Sequence, residues 1–139
     1  MLNVARSVID VRRGRVLAVD DQPGFLAVLR DLLGATRQLD AVGEAQSGER
    51  AIELAQEVEP DIVLMDVWMP GMGGLAAARE IKARRRSTLV VLISSTHPDD
   101  LPFADDELSA DAVIWKSELG PQMLDDIWLR QGPSSRANA

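Results

Sequence analysis

Two uninterrupted apolar runs constrain this chain most: Ile62-Val63-Leu64-Met65 and Leu89-Val90-Val91-Leu92-Ile93. Neither alternates apolar with polar residues. That pattern is expected of strands in a parallel sheet covered on both faces. The first run ends in one carboxylate, Asp66, and the loop Val67-Trp68-Met69-Pro70-Gly71-Met72-Gly73-Gly74 follows at once. A strand here carries an acid to the rim of a sheet.

The rest of the chain supplies the matching pieces. Arg15-Val16-Leu17-Ala18-Val19 is a short β-type run ending in Asp20-Asp21. Pro23 suits the first turn of a helix, with Phe25, Val28, Leu29 and Leu32 on one face and Gly34 as its stop. A weaker strand spans 39–45. Ser47 is placed to cap a second helix, whose inner face is Ala51, Leu54, Ala55 and Val58, with Pro60 beyond it. Gly73-Gly74 leads into a third helix with Leu75, Ala78 and Ile81 inward, closed by Arg84-Arg85-Arg86 at the end where cations are favourable.

After the 89–93 run come Ser94-Ser95-Thr96. Residues 97–110 are where a fourth helix is expected, though Pro98 and Pro102 interrupt it and Asp105, Asp106 and Glu107 follow. Ala112-Val113-Ile114-Trp115 reads as a fifth strand ending in Lys116. A last helix begins at Pro121, with Leu124, Ile127 and Trp128 inward. Strands alternating with helices, five of each, define an α/β protein with a parallel sheet. The organisation expected is an N-terminal extension over 1–13, one domain over 14–131 and a flexible tail over 132–139.

Composition narrows the function. The chain has 139 residues, enough for one domain, and no cysteine, which excludes disulfides and thiol chemistry. His97 is its one histidine. The net charge of −7 argues against direct nucleic-acid binding. No run approaches the roughly 20 apolar residues of a membrane span. A soluble cytoplasmic protein is the expectation.

In open parallel sheets, ligands bind beyond the carboxyl ends of the strands. Those ends carry Asp20 and Asp21, Asp66, Ser94 and Ser95, and Lys116. Singly, each has a plain reading: a turn former, a strand-end hydroxyl, a solvated lysine. Jointly they describe a site. Three carboxylates in one cleft repel each other and invite a hard cation bound through oxygen, for which Mg²⁺ fits best. A carboxylate in that setting is a nucleophile toward phosphorus, giving an aspartyl-phosphate. The Lys116 ammonium and Ser94 hydroxyl would meet the phosphoryl oxygens.

With these residues in place, the chain resembles the receiver domain of bacterial two-component response regulators, over about 14–131. Asp20-Asp21 matches the paired acid after the first strand. Asp66-x-x-Met69-Pro70-x-x-x-Gly74 matches the phosphoacceptor loop, and Ser94 and Lys116 fall on the family's hydroxyl and lysine. The loop and Lys116-Ser117-Glu118-Leu119 look most like receivers of the subfamily with helix-turn-helix output domains. The resemblance implies a flavodoxin-like doubly wound fold, strand order 2-1-3-4-5, with helices on both faces. It also implies the roles: Asp66 the phosphoacceptor; Asp20, Asp21, Asp66 and the Trp68 backbone carbonyl the Mg²⁺ ligands; Ser94 and Lys116 the partners of the phosphoryl group. The implied partner is a sensor histidine kinase or phosphotransfer protein. A second copy of the chain is a further partner to consider. No helix-turn-helix segment follows the last helix, so the chain reads either as a stand-alone receiver or as the receiver of a protein whose DNA-binding output domain lies elsewhere.

Three positions depart from the family pattern. Val113 stands where the fifth strand usually carries an aromatic switch residue. Ser117 follows the lysine where proline is common in the wider family. The fourth helix is interrupted by proline. Two alternatives follow: a degenerate receiver acting as a phosphorylation-independent interaction module, and a Mg²⁺-dependent phosphohydrolase. The second would carry its nucleophile in an Asp-x-Asp after the first strand, which this chain lacks. Trp68 is read two ways, as a shield of the acyl phosphate from water or as a surface packing residue. Trp115 and Trp128 read as packing residues, or as a partner face.

Overall fold

The computed structural model describes residues 12–103 and 107–132. Its centre is a five-stranded parallel sheet in the order β2-β1-β3-β4-β5. The strands are β1 (Gly14–Val19), β2 (Leu39–Ala45), β3 (Ile62–Asp66), β4 (Leu89–Ser94) and β5 (Ala112–Trp115). Four α-helices connect and flank them: α1 (Pro23–Gly34), α2 (Gly48–Val58), α3 (Gly73–Arg84) and α4 (Pro121–Gln131).

Every residue of β3 and β4 is buried, which is why their sequences do not alternate. The two faces still separate by strand periodicity. Val16, Ala18, Ile62, Leu64, Leu89, Val91 and Ile93 pack against α1 and α4. Leu17, Val19, Val63, Met65, Val90 and Leu92 pack against α2 and α3.

The helix ends follow local rules. Ser47 Oγ accepts the Arg50 amide at 3.0 Å and caps α2. Glu59, with φ +48°, closes that helix ahead of Pro60. Pro23 opens α1 without a side-chain cap. The inner face of α1 is turned from the expected one: Leu26, Leu29 and Leu33 are buried, the expected Phe25 and Leu32 pack part-buried against the same core, and Val28 is exposed. Both sets contain Leu29 and share the helical repeat, so spacing alone left the rotation about the axis open.

The fourth helix expected between β4 and β5 does not form among the described residues. The 3₁₀ turn Pro98–Asp100 begins that span instead. Pro98 and Pro102 lack the amide hydrogens an α-helix needs, and adjacent carboxylates add repulsion. Asp105 and Asp106 lie outside the described residues, as do 1–11 of the expected N-terminal extension and 133–139 of the expected tail.

Arg12 and Arg13, assigned to the extension, are held. Arg12 donates to Asp61 at 2.8 Å, and its carbonyl accepts the Trp128 indole N–H at 2.8 Å. Arg13 makes a two-pronged contact with Asp40. Trp128 is buried core, packed with Leu39, Leu124 and their neighbours. Trp115 is half-buried, with its ring edge-on to His97 at 5.0 Å. No described helix is long and apolar enough to cross a membrane.

Candidate functional site

The carboxyl ends of β1 and β3 lie side by side, with Val19 level with Met65. The next residue of each chain segment is an aspartate. Asp20, Asp21 and Asp66 each bring a carboxylate oxygen to within 4.8 Å of the others. Asp20 is fully buried and Asp66 is only 7% exposed. Lys116 follows β5 and lays its ammonium in the same cleft, 3.7 Å from Asp20 Oδ2 and 3.9 Å from Asp66 Oδ2.

The loop after Asp66 is shaped by glycine. Gly71 and Gly73 take φ of +76° and +79°, the left-handed region that other residues avoid. Gly74 is excluded from substitution for another reason: a Cβ there would run into the Asp66 carbonyl oxygen. The loop folds back so that the Gly74 amide donates to the Val67 carbonyl at 3.2 Å. The Trp68 amide donates to Asp66 Oδ1 at 3.2 Å. The Trp68 side chain is 44% exposed and its ring lies tilted against Phe103 at 5.5 Å.

The electrostatics of the cleft are unbalanced. Burial pushes the Asp66 carboxyl up from 3.8 to about 6; the Trp68 amide and Lys116 oppose that rise, and Asp20 and Asp21 add to it. Asp20 Oδ1 accepts the Gln22 amide at 2.8 Å. Asp20 Oδ2 is buried with no hydrogen-bond partner. A buried carboxylate oxygen left unmatched is costly. An all-oxygen donor set with such an orphan suits a hard divalent cation rather than a soft one. The residues present therefore fit Mg²⁺.

Ser94 ends β4, one residue beyond Ile93, the register partner of Asp66. It is fully buried, and its Oγ accepts the Thr96 amide at 2.9 Å. Its hydroxyl hydrogen keeps a donor role. Ser95, by contrast, is exposed. Val113 is partly buried against the core cluster on the α2–α3 face. One neighbour escaped sequence reasoning. Phe25 was read only as part of a helix face, yet its ring lies 4.1 Å from the Lys116 ammonium. The signal was its position, two residues beyond Pro23 in a helix that starts directly after the paired acid.

The fold is a doubly wound parallel α/β domain with an acidic cleft and a lysine at its carboxyl rim. The comparisons agree. The family described as "Response regulator receiver domain" matches residues 16–127. The chain belongs to that family, the receiver domains of two-component systems.

Among relatives, the transcriptional regulatory protein YdfI of Bacillus subtilis is 37% identical over 102 residues, 73% of this chain and 47% of that protein. The nitrate/nitrite response regulator protein NarL of Escherichia coli is 36% identical over 90 residues, 64% of this chain and 42% of that protein. The chain thus spans half or less of the length of these relatives. The signal receiver domain of the putative response regulator NarL from Mycobacterium tuberculosis superimposes with a TM-score of 0.76 at 27% identity, covering 88% of this chain and 99% of that one.

Proposed function

We propose that the receiver, taken as residues 14–131, accepts a phosphoryl group on Asp66 from a phosphohistidine of a sensor histidine kinase or phosphotransfer protein. The observation that carries this reading is the buried, charge-unbalanced cleft itself: Asp66 beside Asp20 and Asp21, an orphaned Asp20 oxygen, and one ammonium close to both carboxylates.

In the transfer, an Asp66 oxygen forms a bond to phosphorus as the phosphorus–nitrogen bond of the donor breaks. The imidazole nitrogen leaves with the electron pair and takes a proton, ending neutral. Asp20, Asp21, Asp66 and the Trp68 carbonyl are the residues to hold Mg²⁺, which when bound supplies positive charge against the phosphoryl oxygens. Lys116 faces the same charge from the β5 side. Ser94 keeps a hydroxyl hydrogen to donate. The raised pKa of Asp66 still leaves it ionised at neutral pH.

This makes the chain a switch with limited self-phosphorylation and self-dephosphorylation, not a turnover enzyme, working in the cytoplasm. The names of two relatives from Bacillus subtilis, both transcriptional regulatory proteins, favour a transcriptional output as the destination of the signal. The test is labelling by acetyl phosphate in Mg²⁺. Wild type takes label and Asp66→Asn does not; label on the variant would overturn the assignment.

A further inference from the structure

Lys116 is held in an unusual way. Its ammonium sits between two carboxylates at 3.7 and 3.9 Å, both longer than a hydrogen bond. It also lies over the Phe25 ring, whose centroid is 4.1 Å away, well inside the ~6 Å reach of a cation–π interaction. The ring is itself fixed. Pro23 sets the first turn of α1, the Phe25 amide donates to the Gln22 carbonyl at 3.0 Å, and the side chain rests on the α1–α4 core. Gln22 in turn donates to Asp20, so the ring and the carboxylate share one anchor.

We infer that Phe25 is a positioning residue: its ring face holds the Lys116 ammonium beside Asp66, so that the cation is in place when the phosphoryl group arrives. The inference rests on the reading of Asp66 as phosphoacceptor. The physical point is competition. Asp20 and Asp66 are the carboxylates a divalent cation would engage, and an engaged carboxylate attracts Lys116 less. The ring does not compete for that cation. It keeps its hold through each charge state of the cleft, where a third carboxylate would not. Phe25 acts through Lys116 and touches no reacting atom.

The experiment has two arms. In the metal-free protein, the ε-methylene protons of Lys116 are followed by NMR. Over a ring face they are shifted upfield, and Phe25→Leu, which keeps apolar bulk without a π-system, returns them toward the ordinary lysine value. Phe25→Tyr restores the shift. In the second arm, labelling by acetyl phosphate in Mg²⁺ is slowed about five-fold by Phe25→Leu, as loss of one partly exposed cation–π contact implies. Phe25→Tyr recovers the rate, and Phe25→Leu adds nothing in a Lys116→Ala background. Phe25→Met repeats both arms should the leucine variant fold poorly.

Unmoved methylene resonances in Phe25→Leu, or an undiminished effect of that change without Lys116, overturn the inference and leave Phe25 as core packing. If wild type takes no label, the phosphoacceptor reading fails, while the methylene resonances still decide whether the ring holds the ammonium.

Discussion

Asp66→Asn removes the acid on which the proposed chemistry depends, and it is expected to make the metal-free protein more stable. The magnitude follows from the cleft. Burial raises the Asp66 pKa from 3.8 to about 6, roughly two units at about 1.4 kcal/mol each. An acid whose pKa rises on folding binds its proton more tightly in the folded state than in the unfolded one. Stability is therefore intact below 3.8, falls as pH rises through the interval to about 6, and carries the whole cost above it. The full cost is about 3 kcal/mol. An effective dielectric above that of a dry interior reduces it to about 1.5–2 kcal/mol. Asparagine keeps the shape and removes the charge, so at pH 8 in EDTA the variant gains that amount. With a urea slope of about 2 kcal/mol per M, the midpoint rises by about 1 M. Near pH 3.5 the two proteins converge, because both carry a neutral side chain there. Mg²⁺ narrows the gap: at a hundred times its dissociation constant it adds about 2.7 kcal/mol to wild type and less to a variant lacking one ligand. A variant no more stable than wild type at pH 8 without metal, or a gap that persists at pH 3.5, refutes the reasoning.

Three further outcomes are expected. Gly74→Ala forces a Cβ against the Asp66 carbonyl and costs about 2–3 kcal/mol, read as a lower urea midpoint; a midpoint equal to wild type would mean the loop has room to shift freely. Trp128→Phe loses buried volume and the indole bond to the Arg12 carbonyl and costs about 1–3 kcal/mol, measured by the same titration; a neutral result would show that the N-terminal approach to β1 is not tied through Trp128. Trp68→Ala removes the part-exposed ring that rests on Phe103 two residues after Asp66, and is expected to shorten the half-life of the phosphorylated protein several-fold; an unchanged half-life returns Trp68 to surface packing.

The strands were legible because each signal is local. Residues 62–65 and 89–93 are apolar without a break, a pattern that only burial on two faces requires. Where each run stops, a polar residue must reach the rim, so Asp20, Asp66, Ser94 and Lys116 are marked by the sequence alone. The glycines of the loop after Asp66 were also visible, though the reasons separate only in three dimensions: backbone conformation at Gly71 and Gly73, space at Gly74.

What the tertiary structure alone decided is non-local. The rotation of α1, with Leu26 and Leu33 in and Val28 out, depends on which grooves the sheet offers, and periodicity carries no absolute phase. The span after Thr96 has prolines and acids that weaken a helix, but only the packed domain shows that a 3₁₀ turn stands in its place, with His97 and Phe103 meeting Trp115 and Trp68. Phe25 and Lys116 lie at opposite ends of the chain, on elements that meet only once the sheet has ordered its strands. The sequence determined which groups reach the rim, because hydrophobic runs end where they end. The fold decided how those groups face each other, because distances across a sheet are set by every strand at once.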